Sequence, residues 1–408
     1  GLVPKLMVKQ GDEVKAGDCL FADKKNSEIC FTSPVSGEIA EVVRGERRAI
    51  QEIRILADST NSFKEFNTSG YDSKSADEIK SLLLESGLWP YIVQRPFGTL
   101  AETDVRPKAI HISGFDSAPL AADLAITLKG QESSIQAGIN ALAKLTDGKV
   151  HLNLHSKRDN LIYNNITGVE KTSFSGPHPS GLVGVQIHHI DPINKGDVVW
   201  TIKPQHVAFI GKFLETGELD LDQTIVLAGS EVSKPGYYTA KVGASLEKIA
   251  ENNITSENVR TISGNVLTGK KVGSKGYLSF FDNQVTAIPE GNEYEFLGWL
   301  FPSYSRPTIS SSMPVSKFLK KSFNANTNFH GEGRAFVVSG EYERVFPMDI
   351  MPVQLIKSIL ATELELMENL GIYEVIEEDM ALCEFVCTSK QEVQSILSEG
   401  LELMAEEG

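Results

Sequence analysis

Lys108–Leu128 reads KAIHISGFDSAPLAADLAITL: an apolar-rich run, one glycine, a short polar turn and a second apolar run. The pattern predicts a strand, a tight turn and a helix. Ser117 is placed to cap that helix and Pro119 to open it. Proline is tolerated in a first helical turn because its missing N–H would have no partner there. In doubly wound folds this strand-to-helix turn is where a nucleotide's phosphates sit. Here the turn is GFDSAP, with one glycine and with Asp116 in the anion's place. The stretch before the strand, Gly87–Gly98 (GLWPYIVQRPFG), carries Trp89, Tyr91 and Phe97 and no glycine cluster. The scaffold suits a cofactor, and the residues that would hold one are missing.

Downstream the alternation continues: SIQAGINALAKL as helix, KVHLNL, LVGVQIHHI and VVWTI as strands, QHVAFIGKFLE as helix, TIVLAG as strand. Strands alternating with helices predict a Rossmann-like, largely parallel α/β domain over residues 75–238. Ser75 and Glu78 form a capping box at its start, and Gly87 stops that first helix. The polar, Gly/Ser/Asn-rich residues 56–74 read as a linker. Residues 1–55 are short strands between glycine turns. Their rhythm GDxVxxGxxL…SPxxGxI is similar to the barrel-sandwich hybrid of biotinyl and lipoyl carriers. Lys24 and Lys25 lie in the hairpin where carriers are modified, but a residue or two out of step with Pro34, so modification is not expected. Residues 239–330 place one helix (SLEKIAENN) among short strands, including EYEFLGWL, which suggests a β-grasp module. Residues 331–408 read as helical. Val353, Ile356, Leu360, Leu364 and Met367 share one face of a helix over 352–370, and Ser389 with Glu392 caps the last helix. The fold class is thus multidomain α/β and α+β.

The 54 acidic against 39 basic residues give a net charge of −15, which argues against nucleic acid, whose binding needs a basic surface. The acidic C-terminus reads as a solvated face, with an acidic docking face as the alternative. No apolar run reaches the roughly 18–20 residues that cross a bilayer. The first residue is Gly1, inside a strand-like run, which reads as a chain trimmed at its N-terminus. Four cysteines in a chain this long suggest a reducing compartment rather than a disulfide framework. Cys383 and Cys387 are two ligands short of an iron–sulfur or zinc site and read as small residues on a strand. Gly264–Lys271 (GNVLTGKK) approaches a phosphate loop but has Lys271 where Ser or Thr would bind magnesium. His178, His188, His189 and Asp191 cluster in sequence; adjacent histidines on a strand face opposite ways and cannot share a metal. No metal site and no catalytic set is expected.

Residues 176–206 (GPHPSGLVGVQIHHIDPINKGDVVWTIKPQH) and 330–352 (HGEGRAFVVSGEYERVFPMDIMP), with DKKN and SPVSG near the start, carry a resemblance over nearly the whole chain. The chain resembles the A subunits of the bacterial Na+-translocating NADH:quinone reductases. That resemblance implies a hydrophilic protein without membrane spans, peripheral on the cytoplasmic face of the inner membrane. It would be seated chiefly on the membrane-embedded B subunit, in a complex that passes electrons from NADH through flavins and an iron–sulfur centre to quinone while exporting Na+. The family is also related to the flavin-carrying, NADH-oxidising subunit of complex I. There a glycine-rich loop holds flavin, a soluble-ligand-binding β-grasp (SLBB) module follows, and four cysteines of a C-terminal helical domain bind a cluster. The matching loop here is SGLWPYIVQRPFG, and only Cys383 and Cys387 match the cysteines. The expectation is a chain with no cofactor of its own. Trp89, Tyr91 and Phe97 would fill the vacated flavin cleft. Alternatively they would line a pocket for quinone or a neighbouring subunit, with Gln94 and Arg95 as polar handles. A free-standing carrier protein, which would need a modified lysine, is the third reading.

Overall fold

A computed structural model of the chain describes residues 2–158, 160–251, 253–254, 257–292, 324–329 and 331–408. The chain forms two compact units. One comprises Gly1–Gly114, Leu124–Ser173 and Asp197–Gln223; the other comprises Phe115–Asp123, Phe174–Gly196 and Thr224–Gly408.

The first unit opens with β1 (Pro4–Leu6), β2 (Glu13–Val14), β3 (Cys19–Asp23), β4 (Cys30–Thr32), β5 (Gly37–Arg44) and β6 (Ile50–Ala57). They make two antiparallel three-stranded sheets, ordered β1-β3-β4 and β2-β5-β6, around Val14, Leu20 and Ile39. Gly37 starts β5 because any Cβ there would strike the Leu56 backbone. Lys24 and Lys25 occupy the turn between β3 and β4, as expected. Asn26 in that turn donates to Thr103 Oγ1 at 3.1 Å. Against the sequence expectation, Cys19 and Cys30 form a disulfide, their Cα atoms 5.9 Å apart across the β3–β4 hairpin.

The polar stretch after β6 is packed rather than free. Lys64 N–H bonds the Ala16 carbonyl, Phe66 stacks edge-on against Phe213 at 5.2 Å, and the Lys144 ammonium donates to the Asp72 and Lys74 carbonyls at 2.7 and 2.8 Å. Then come α1 (Ala76–Ser86), β7 (Val93–Arg95), β8 (Thr99–Leu100), β9 (Ala109–Ser113), α2 (Leu124–Thr127), α3 (Glu132–Ala143), β10 (Lys149–His155) and β11 (Glu170–Phe174). The Ser75–Glu78 capping box forms, and Gly87 ends α1 in the left-handed conformation at φ 75°. Further on, α4 (Val183–Ile190) belongs to the second unit, while β12 (Val199–Thr201) and α5 (Pro204–Thr216) return to the first. The sheet order is β11-β10-β9-β12-β7-β8. Within it β10, β9 and β12 are parallel, and β7 and β8 add an antiparallel hairpin. The predicted parallel character therefore holds for this three-strand centre.

The second unit carries β13 (Asp222–Ala228, from Thr224 onward), β14 (Gly236–Lys241), α6 (Glu247–Glu251), β15 (Val259–Ser263), β16 (Lys270–Lys271) and β17 (Gln284–Pro289). Their sheet runs β14-β13-β17-β15-β16 over a core of Ile225, Leu227, Leu246, Leu278, Val285 and Ala287. TIVLAG thus belongs here, pairing parallel with β17, and not to the sheet of the first unit. EYEFLGWL lies outside the described residues. The chain closes with α7 (Pro352–Leu360), α8 (Leu364–Asn369), α9 (Ala381–Val386) and α10 (Val393–Glu407).

Four local expectations change. The helix expected from Pro119 is only the four-residue α2, because Asp116 captures the Ala118 N–H at 2.8 Å and Leu120 takes a left-handed φ of 60°. LVGVQIHHI is helix α4; its consecutive buried residues Gly184–Ile187 leave no period by which to separate helix from buried strand. The expected helix over 352–370 breaks into α7 and α8 at Thr362, φ 54°. Ser389 bonds the Ala335 carbonyl at 3.0 Å instead of capping, and Glu392 begins α10.

Candidate functional site

Gly87–Gly98, read from sequence as a loop, is a single 3-10 turn leading into the β7–β8 hairpin at the sheet's antiparallel edge. Trp89 is fully buried; its Nε1–H donates to the Ala101 carbonyl at 2.8 Å, and its ring meets Trp200 edge-to-face at 5.3 Å. Tyr91, 1% exposed, lies against His206 at 4.2 Å and Phe209 at 5.9 Å. Burial pushes its phenol up, so it stays protonated. Gln94 is buried, and its Oε1 accepts from the Glu102 N–H at 3.1 Å and the Trp200 indole at 3.3 Å. Arg95 is buried too, on β7 opposite Val199. Phe97, half-buried at φ 77°, sits in the turn between the two strands. The edge thus gathers Trp89 and Gln94 around Trp200 and places Tyr91 with the α5 aromatics.

The strand periods bring together a row that the sequence reading missed. His111 on β9 is in register with His151 on β10 and with Thr201 on β12, and the two imidazoles stack at 4.4 Å. Arg95 lies two positions along on the same face. Burial, helped by His151, Lys108 and Arg95, pushes His111 down to about 3. His206 is also pushed well down by burial. These rings are neutral at neutral pH, too weakly basic to hold a proton for general base work. KAIHIS and KVHLNL each carry one histidine inside an apolar strand, but only the register between the two strands pairs them.

The turn after β9 uses backbone N–H groups within the chain. The Gly114 N–H is taken by the Asn153 carbonyl at 2.7 Å, and the Ala118 N–H by Asp116. Ser117 Oγ accepts the Gly181 N–H at 2.8 Å and lies 3.0 Å from His178 Nδ1. Burial lowers the His178 pKa, against an opposing pull from Asp116. Two of the turn's backbone N–H groups are thus engaged, with the Asp116 carboxylate beside them.

The remaining candidates have structural partners. On α4, His188 Nδ1 bonds Glu374 Oε2 at 2.6 Å while Nε2 accepts the Asp349 N–H at 2.9 Å. His189 Nε2 bonds the Pro347 carbonyl at 2.9 Å. Cys383 and Cys387 are buried on α9 and at its end, not on a strand. Cys387 Sγ accepts from the Tyr342 hydroxyl at 3.0 Å, and burial holds the Cys383 thiol protonated. GNVLTGKK forms the β15–β16 hairpin, with Lys271 bonded to Glu290 at 2.8 Å, rather than a strand-to-helix loop. Among the described residues no group of three or more His, Cys, Asp and Glu could hold a metal. No helix there is long and apolar enough to cross a membrane.

Three family models match in succession: "NqrA N-terminal barrel-sandwich hybrid domain" over 1–58, "NqrA second alpha/beta domain" over 74–219 and "NQRA C-terminal domain" over 224–274. The A subunit of the Na(+)-translocating NADH-quinone reductase of Yersinia pseudotuberculosis serotype I is 38% identical over 411 residues, covering 100% of this chain and 92% of the relative. The protein of the same name from Glaesserella parasuis serovar 5 is 38% identical over 412 residues, with the same coverage. Among solved structures, an NAD+-reducing [NiFe]-hydrogenase in the H2-reduced state aligns with a TM-score of 0.44 and 11% identity, over 83% of this chain and 65% of that one.

Proposed function

Because the chain belongs to the A subunits of the Na(+)-translocating NADH-quinone reductases, we propose that it is the hydrophilic component of that complex that carries no redox group. In this reading it supports quinone reduction as a structural partner of the membrane part, chiefly the B subunit, on the cytoplasmic face. NADH, flavins and the iron–sulfur centre belong to other subunits. One observation carries the reading: the turn where a cofactor's phosphates would sit spends its N–H groups on its own Asp116 and on Asn153. The burial of Trp89 and Tyr91 supports the filling of an inherited cleft over a quinone pocket between them. The residue with ring surface still open is Phe97, so a quinone contact at this edge would have to use its face.

The test joins a spectrum and a reconstitution. The purified chain is expected to be colourless. The complex assembled without it is expected to lose quinone reduction while still oxidising NADH with an artificial acceptor. Stoichiometric flavin bands in the chain, or full quinone reduction without it, would overturn the proposal.

A further inference from the structure

The β5–β6 hairpin is an unusual piece of an acidic protein. Both strands are eight residues long. Only Gly37 and Glu38 at its base pair with a third strand, β2. Val42, Ile53 and Ile55 pack on the core below. Beyond them the hairpin runs on as a two-stranded ribbon to the turn Arg44-Gly45-Glu46-Arg47-Arg48-Ala49.

That turn is built, not slack. The Gly45 N–H bonds the Ala49 carbonyl at 2.8 Å, the Ala49 N–H bonds the Glu46 carbonyl at 3.0 Å, and Arg44 Nη1 donates to the Arg48 carbonyl at 3.0 Å. It holds Arg47 and Arg48 at φ 53° and 62°, a left-handed conformation that non-glycine residues seldom adopt. Arg44, Arg47 and Arg48 are all exposed. Lower on the ribbon, Arg54 pairs with both Glu41 and Glu52 at 2.8 Å, so those carboxylates are already matched. Arg47 and Arg48 pair with no carboxylate among the described residues. Three guanidinium groups and the single carboxylate of Glu46 therefore stand at one tip, a local net charge of +2 on a chain whose net charge is −15.

We infer that this tip is a contact for the anionic headgroups of a phospholipid bilayer. The chemistry of the turn selects that partner over an acidic protein. Its residues include no large apolar side chain, whereas protein interfaces are anchored by buried aromatic or aliphatic groups. Headgroup binding needs only cations near the surface. Val43–Arg44 and Ile50–Glu52 carry the ribbon about 7–10 Å beyond the core-packed Val42 and Ile53, comparable to the roughly 8 Å within which physiological salt screens the field of the acidic body. Three arginines alone bind weakly, so the contact orients a chain already held at the membrane by its complex, where effective concentration multiplies weak contacts. The inference rests on the proposed place in the complex for its setting, and its test uses the chain alone.

The purified full chain is mixed with phosphatidylglycerol–phosphatidylcholine vesicles or with pure phosphatidylcholine vesicles, and bound chain is separated by flotation. At low ionic strength the chain is expected to float with the phosphatidylglycerol vesicles only, and the bound fraction should fall toward about 0.15 M salt. R47N/R48N removes two charges with a residue that tolerates the left-handed conformation and should weaken partition about 30-fold; R47K/R48K should bind like the parent. Equal flotation of the parent and R47N/R48N, or no flotation of the parent, overturns the inference and leaves the tip to an acidic protein surface. Neither result touches the proposed role in the complex, which is judged by quinone reduction after assembly.

Discussion

Trp89→Ala removes a fully buried indole, its bond to the Ala101 carbonyl and its contact with Trp200. The expected loss is about 3–5 kcal/mol in denaturant unfolding. A loss under about 1 kcal/mol, with impaired quinone reduction in the complex, would mark Trp89 as lining a site instead. His111 makes the acid limb of stability predictable. Unfolded, it takes up a proton near 6.5; folded, only at about 3. The unfolded state therefore binds protons first, so the stability present above pH 6.5 drains away as pH falls toward 3. His206 acts in the same direction. His111→Gln is expected to flatten melting temperature against pH across that window, and an unchanged slope would refute the assignment. The sequence singled out Trp89, Tyr91 and Gln94 by the composition of their stretch, and the structure buries all three. The His111–His151 pair was not legible there, because stacking depends on the register between two strands 40 residues apart, and one strand alone does not reveal it.

Among the elements, α3 and α5 cross so closely that their backbones meet at two glycines. A Cβ on Gly211 would collide with the Ser134 carbonyl, and one on Gly138 with that of Val207. Gly211→Ala should force the helices apart at a cost of about 1–3 kcal/mol, read as a shifted urea midpoint; no shift would mean that the pair slides freely. Elements with local chemistry were legible: the Ser75–Glu78 box, the Gly87 stop and α5 behind Pro204 all form where the residues put them. Elements decided by tertiary context were not. Four consecutive buried residues hid α4, and TIVLAG has the same apolar run whichever sheet receives it. Ser389 has the right spacing for a cap, but its hydroxyl is taken by the Ala335 carbonyl.

For the whole molecule, calorimetry of the purified chain with NADH should show no saturable binding, since two turn amides are engaged and Asp116 would repel a pyrophosphate; micromolar affinity would count decisively against this. Family membership was the most legible property, because it is written in extended phrases such as GPHPSGLVGVQIHHID. The division of the molecule was the least legible, because two short pieces of the first half are claimed by the second unit. That division sets a timetable for synthesis. The last segment of the first unit, Asp197–Gln223, leaves the ribosome while Phe115–Asp123 and Phe174–Gly196 still await Thr224–Gly408. The nascent protein therefore passes through a half-finished stage, and a fragment starting at Thr224 would be born without the pieces that complete its unit.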